Sequence, residues 1–279
     1  MPGTSKTKSP RGYEIEFDEA THTYTTLLDK HFTDTGVIPI ASGSTEDGRI
    51  VVKYTSGTTF VHVFFPKFDE DGSISARVAA KRGVTPEQVK AEWKANCAAA
   101  CEFGTRVHET AEDVLNGRAQ FRNAPRDERE RKVFSAAWSA AKSVLQRMDV
   151  IGVEKIVFDV DTQIAGTIDL LARDKADGTV WILDHKTNKS IDFKNEYPTC
   201  SRGLRPIEHL HNCNAVQYGL QLELYDWLLR TGGYIPRDAR TRHGIFHLTE
   251  DGPKFHELPR YENEIRDMMI VHLLTREVL

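Results

Sequence analysis

No stretch of this sequence is apolar for the roughly 18–20 residues that a membrane-crossing helix needs, so helical membrane spans are excluded. The first residues lack the apolar segment of a secretory signal, and an intracellular protein without a membrane partner is expected. Cysteine is scarce. Cys97, Cys101, Cys200 and Cys213 are too few and too unevenly spaced for a secreted disulfide scaffold. Basic residues are not in excess either: 37 Lys and Arg stand against 41 Asp and Glu, a net charge of −4. That argues against an extended non-specific nucleic-acid surface and leaves room only for a local basic channel. Internal repeats are absent.

What is present suits a folded protein. The 279 residues are 39% hydrophobic and 28% charged, enough for one generous domain or two small ones. Residues 1–12, rich in Ser, Thr, Pro and Lys, predict a disordered tail. Short alternating stretches at 13–17, 21–25 and 50–54, punctuated by Gly, Asp and Ser, predict a small β-rich region over 13–66. Helical signals follow. Thr85, Pro86 and Gln88 make an N-cap, a first-turn proline and a capping-box partner for a helix running towards Val114, with a possible break at Gly104. Residues 127–148 carry Phe134, Trp138, Ala141, Leu145 and Met148 at helical spacing, predicting a buried stripe.

Period-two patterning then predicts strands at 153–159, 164–172 and 180–186, a polar loop of about twenty residues, a helix over 208–230, a fourth strand at 243–248 and a closing helix over 261–277. The implied class is α/β, with a mixed central sheet flanked by helices. Alternate strand residues share a face, so Val180, Ile182, Asp184 and Lys186 form an apolar stripe ending in an acid and a base. Asp169 ends a stripe on the preceding strand amid Ile168, Leu170 and Leu171. A buried Asp–Lys ion pair is the plain reading. The sharper one has two carboxylates on adjacent strands holding a divalent cation through oxygen, Lys186 managing the attacking water, and the main-chain carbonyl of His185 adding a ligand.

Asp169, followed fifteen residues on by Asp184-His185-Lys186, resembles the signature of the PD-(D/E)XK nucleases. Three further features are similar to the RecB-type exonuclease branch of that superfamily: Gly104…His108 on the upstream helix, Glu154 at the start of the first strand, and Gln221…Tyr225 on the helix after the loop. The resemblance covers roughly residues 60–250 and extends to nucleases of phage and large-virus genomes. It implies a nuclease core over 67–279 and one or two Mg²⁺ or Mn²⁺ ions. The metal ligands would be Asp169, Asp184, His108 and the His185 carbonyl, with Lys186, Gln221 and Tyr225 as catalytic partners. The substrate would be DNA, attacked from ends and preferentially as single strands, with replication or recombination proteins as companions. An endonuclease or junction resolvase on the same scaffold, and a non-catalytic DNA-binding module, are the alternatives.

Some members hold an iron–sulfur cluster, but no cysteine follows Tyr225, so none is expected here. Cys97 and Cys101, one turn apart, read as core. His209, His211 and Cys213 suggest zinc, yet a helix would turn His211 away from the other two, and no fourth ligand is evident. For gripping DNA the loop offers Lys189, Lys194, Arg202 and Arg205, with Tyr197 able to stack on a base. Gln217 lies one turn before Gln221, and Arg237, Arg240 and Arg242 form a further cluster expected to flank the site.

Overall fold

The computed structural model describes residues 3–29, 32–197 and 200–275. Five short strands open the chain: β1 (Thr4–Lys8), β2 (Glu14–Asp18), β3 (Thr23–Leu28), β4 (Gly43–Ser44) and β5 (Ile50–Lys53). They form an antiparallel sheet in the order β1-β2-β3-β5-β4. Residues 4–8 therefore do not belong to a disordered tail. Their side chains are polar and mostly exposed, and what orders them is backbone pairing with β2, which composition does not reveal. The inner face of this sheet buries Ile15, Tyr24 and Val52 against Phe158, Val160 and Ala165 of the main body.

The main body starts earlier than residue 67. Two residues of β6 (Thr55–Ser56) pair with the central sheet, and α1 (Gly57–His62), capped by the Ser56 hydroxyl, buries Phe60 and Val61 in its core. The polar helix α2 (Ser73–Arg82), which the sequence did not signal, leads to α3 (Pro86–Leu115). The capping box at Thr85 and Gln88 is formed in both directions, and the helix runs unbroken through Gly104. Its first half projects beyond the core, which leaves Cys97 and Cys101 exposed rather than buried. Next comes α4 (Glu128–Arg147), N-capped by Asp127, burying Val133, Phe134, Ala137 and Ala141. Trp138, expected on that stripe, is exposed with Lys142 over its ring.

The long strands β7 (Met148–Asp159) and β8 (Ile164–Asp174) form an antiparallel pair, and β9 (Val180–Lys186) joins β8 on its other edge. After the loop, α5 (Asn214–Thr231) begins six residues later than predicted, with Cys213 as its N-cap. The chain then adds β10 (Thr241–Thr249), parallel to β9, the unpredicted edge strand β11 (Gly252–Glu257), and α6 (Glu262–Thr275). The sheet order is β11-β10-β9-β8-β6, with β7 on the outer edge of β8. One face is covered by α1, α5 and α6, whose Phe60, Val216, Leu220, Leu224, Leu228 and Met268 meet Ile164, Ile168, Ile182 and Ile245. The other is covered by α3 and α4 over Leu170, Trp181, Leu183 and Phe246. This is the mixed α/β architecture that the patterning implied, with an N-terminal antiparallel sheet.

Helix α5 is pinned on its outer side. Arg260 grips both oxygens of Glu223 (2.7 and 2.8 Å) and reaches Asp226 at 2.7 Å, while Arg230 and Thr241 also bond to Asp226. Buried His243 completes this group. Its carboxylates are saturated by guanidinium groups, so it serves as a clamp that fixes the rotation of α5 and not as a cation site.

Candidate active site

The site arises where two strands part. β8 and β9 are paired only over Leu170–Arg173 and Val180–Leu183. Beyond Leu183, β9 follows β10, with His185 opposite Phe246 and Lys186 opposite His247. The freed edge of β8 is taken up again by β6 at Ile164 and Ala165. Residues 166–169 thus face an opening in the sheet. A released N–H needs another acceptor, and the His185 N–H finds one in Asp169 Oδ2 at 2.9 Å.

Asp169 is the centre of the cluster. The same Oδ2 lies 3.2 Å from His108 Nδ1, carried on α3, and 3.5 Å from His185 Nδ1. Glu154, opposite Asp169 in the β7–β8 register, drops out of the ladder and adopts a left-handed backbone with φ of 47°. Such a conformation is uncommon for glutamate and persists only where the surroundings hold it. It brings a Glu154 oxygen within 4.8 Å of ligand atoms on His108 and Asp169. Buried Asp184 carries the Lys186 ammonium against its Oδ2, in ion-pair contact without an aligned hydrogen bond.

The acidic groups are too crowded for all of them to ionise. Burial would raise Asp169, but His108, the His185 side-chain bond and a hydrogen bond with Asp184 hold it well below the usual carboxylate range. Asp184 moves the other way, raised well above that range by burial and then by the charge of Asp169. The two carboxylates share a proton because they cannot both ionise side by side. Although Glu154 is exposed as a residue, its carboxyl reaches into the crowd. There desolvation first, and then Asp169, Glu112 and Asp184, push it up to about 9. Burial lowers His108, with Asp169 opposing. Burial also works against a charged Lys186, yet Asp184 and Asp169 outweigh it and keep the ammonium protonated. Three carboxyl groups crowded around one ammonium retain protons that a hard divalent cation, bound through their oxygens, would displace. The donor set fits such an ion.

Beside Lys186 opens a cavity of about 390 Å³, lined by Lys186, Asn188, Gln217, Tyr218, Gln221 and His62 among others. The ammonium sits 4.7 Å from the Tyr218 ring, a cation–π contact, and the Tyr218 hydroxyl donates to Asn188 Oδ1 at 2.6 Å. Gln221 Nε2 donates to the Tyr225 hydroxyl at 2.9 Å, and Gln217 Nε2 to Asn212 Oδ1 at 2.8 Å. Tyr225 does not reach the mouth. It is buried on Gly166 and Gly57, where an added Cβ would stand 2.4 and 2.8 Å from its ring, so it forms the floor beneath Gln221. Asn188, Tyr218 and His62 were not singled out in the sequence. Only the position of Tyr218 beside Gln217 and of Asn188 two residues past Lys186 hinted at them.

The structure separates the candidate DNA contacts. Lys189 rims a second groove of about 730 Å³ with Thr187, Asn188 and Phe103, and Lys194 is exposed on the segment crossing the start of α5. Arg202 instead donates to the His209 carbonyl at 2.9 Å, and Arg205 pairs with Glu208 at 3.0 Å. Arg237, Arg240 and Arg242 do not flank the site. They lie at or before the start of β10, the end opposite Lys186 and roughly 20 Å along the strands. There Arg240 pairs with Asp177, and Arg242 pairs with Glu257 over the Trp181 ring. His209 pairs with Glu264, His211 bonds to Asn195, and neither meets Cys213 in a cluster of metal-ligand geometry among the described residues.

No curated protein matches the sequence. A solved structure titled "Crystal structure of SSO0001" aligns with 59% of this chain and 84% of its own at 15% identity, with a TM-score of 0.24, too distant to bear on the argument. The family model of the PD-(D/E)XK nuclease superfamily matches residues 81–273. That span is well over half of the chain and contains α3, the β8–β9 fork and α5. This chain therefore belongs to the PD-(D/E)XK nuclease superfamily, whose members cleave nucleic acid with the help of divalent metal ions.

Proposed function

We propose that the protein is a Mg²⁺- or Mn²⁺-dependent deoxyribonuclease that degrades DNA from its ends, preferring single strands. One observation carries the reading: Glu154, Asp169, Asp184 and His108 converge at the opening between β8 and β9 with the Lys186 ammonium against Asp184. Asp169, Asp184, His108 and Glu154, with the His185 carbonyl, would hold the cation. Bound there, the ion supplies Lewis acidity and positive charge for the scissile phosphate. Lys186 remains an ammonium, so its part is to orient the attacking water and to share the phosphate's charge. Gln221 and Gln217 present amides to the strand from one face of α5. Tyr225 holds Gln221 from below.

The preference for ends and single strands rests on two supports. Gly104…His108 and Gln221…Tyr225 match the RecB-type exonuclease branch in order and spacing, and phage-type relatives with recombination or replication partners belong to the same reading. The cavity beside Lys186 is of the size that accepts one small-molecule-sized unit, which suits a single nucleotide and not a duplex. All three signature residues are retained, which disfavours a non-catalytic binding module. The test is degradation of linear DNA against covalently closed circles, with Mg²⁺ and with EDTA. Loss of linear substrate to short products with circles spared is expected. Efficient nicking of closed circles would reassign the protein to the endonucleases.

A further inference from the structure

Side chains continue outward from Lys186 across the sheet edge. The Asn188 carbonyl accepts from His247 Nε2 at 2.7 Å. The His247 ring lies 6.1 Å from that of His256 on β11, which lies 5.9 Å from Phe193 in the loop. His256 and Lys254, two apart on β11, share a face. It is the face opposite Phe255, whose ring packs against Phe246 and Trp181. Phe193 is 47% exposed and Lys254 is exposed. Burial first, and then His247 and Lys254, hold His256 below the ordinary histidine range.

Resting on the nuclease reading above, we propose that this strip of β10 and β11 carries the DNA strand flanking the scissile phosphate, with Phe193 stacking on a base and Lys254 and His256 meeting a phosphate. The geometry suits a chain already held at Lys186. Two strand spacings, roughly 10 Å, separate β9 from β11, about three stacked nucleotide rises of 3.4 Å. An exposed aromatic beside a lysine is the arrangement that grips single strands without reading sequence. A bland solvated edge accounts for Lys254 but not for an exposed phenylalanine packed at a tilt against the end of a histidine row.

The test measures binding of labelled single-stranded oligonucleotides of 2 and 12 nucleotides to the full chain in EDTA, where nothing is cut. Phe193→Ala should weaken binding of the longer oligonucleotide by roughly tenfold, the scale of one lost stacking contact, and leave the shorter nearly unchanged. Lys254→Gln should lower the log–log salt slope by about 0.7. Phe193→Trp should bind like the parent. Unchanged affinity and slope in the first two variants would overturn the proposal, as would loss of binding in Phe193→Trp to the level of Phe193→Ala. Cleavage by the parent with Mg²⁺ is scored separately, so failure of the nuclease reading is distinguishable from failure of the strip.

Discussion

At the scale of single residues, the centre is poised by carboxyl groups too close to ionise together. Burial and then the charge of Asp169 raise Asp184 well above the usual carboxylate range, and Glu154 is pushed up to about 9. A ligand that binds only the folded state stabilises it, by about 2.7 kcal/mol at a hundred times its Kd. Mg²⁺ or Mn²⁺ should therefore raise the Tm of the parent by several degrees. Asp184→Asn should lose most of that rise while being at least as stable without metal, because it replaces a carboxyl that burial and Asp169 already keep from ionising freely. A scanning calorimetry series with and without Mn²⁺ checks this, and an undiminished metal shift in Asp184→Asn would place the ion elsewhere. The raised Glu154 adds a pH dependence. Its proton must leave before the carboxylate can coordinate, so the affinity for Mn²⁺ should climb with pH from about 5 to about 9. In Glu154→Gln the climb should be shallower. Isothermal titration at several pH values decides it, and identical pH profiles would remove Glu154 from the ligand set.

At the scale of elements, the fork between β8 and β9 is seated on a close contact between helix and sheet. Tyr225 of α5 presses on Gly166 so closely that a Cβ would stand 2.4 Å from its ring. Gly166→Ala should cost about 1–3 kcal/mol through overpacking and lower cleavage by displacing Gln221. Tyr225→Phe, which keeps the ring and removes only the hydroxyl that Gln221 reaches, should cost no more than about 0.5–1.5 kcal/mol. Thermal unfolding of both variants distinguishes them, and equal losses would mean the contact is not what seats α5. The sequence showed the elements whose burial imposes a period. Val180–Lys186 alternates between two cores, and Thr85, Pro86 and Gln88 cap α3 as their chemistry requires. It did not show β11, a mostly exposed edge that pairs with β10 alone, or α2, which buries only Ser75 and Ala79. Within the site, Asp169, Asp184, Lys186 and His108 were legible because a motif fixes their order. The burial of Tyr225 and the self-pairing of Arg202 and Arg205 were not, because they depend on contacts distant in the chain or on how a loop folds back on itself.

At the scale of the whole molecule, a chain of net charge −4 must hold a polyanion through local cations. Lys189 and Lys194 are free of carboxylate partners among the described ion pairs, whereas Arg205 is held by Glu208 and Arg202 by a carbonyl. Replacing Lys189 and Lys194 with Gln should flatten the salt dependence of single-strand binding by about 1.4 in log–log slope, roughly 0.7 per contact. Replacing Arg202 and Arg205 should change it little. Equal effects from the two pairs would show that the arginines leave their partners when DNA binds. The N-terminal sheet is also part of the working molecule. It covers Phe158 and Ala165, and its Tyr24 hydroxyl bonds to Thr167 at 2.8 Å, two residues before Asp169. The most direct test of the centre is the rate at which purified protein shortens an end-labelled linear DNA in Mg²⁺, compared with Asp184→Ala and Lys186→Ala under the same conditions. The parent should cut and be silenced by EDTA, and both variants should yield no detectable product while remaining folded by circular dichroism. Near-normal turnover by either variant would contradict the assignment of the centre.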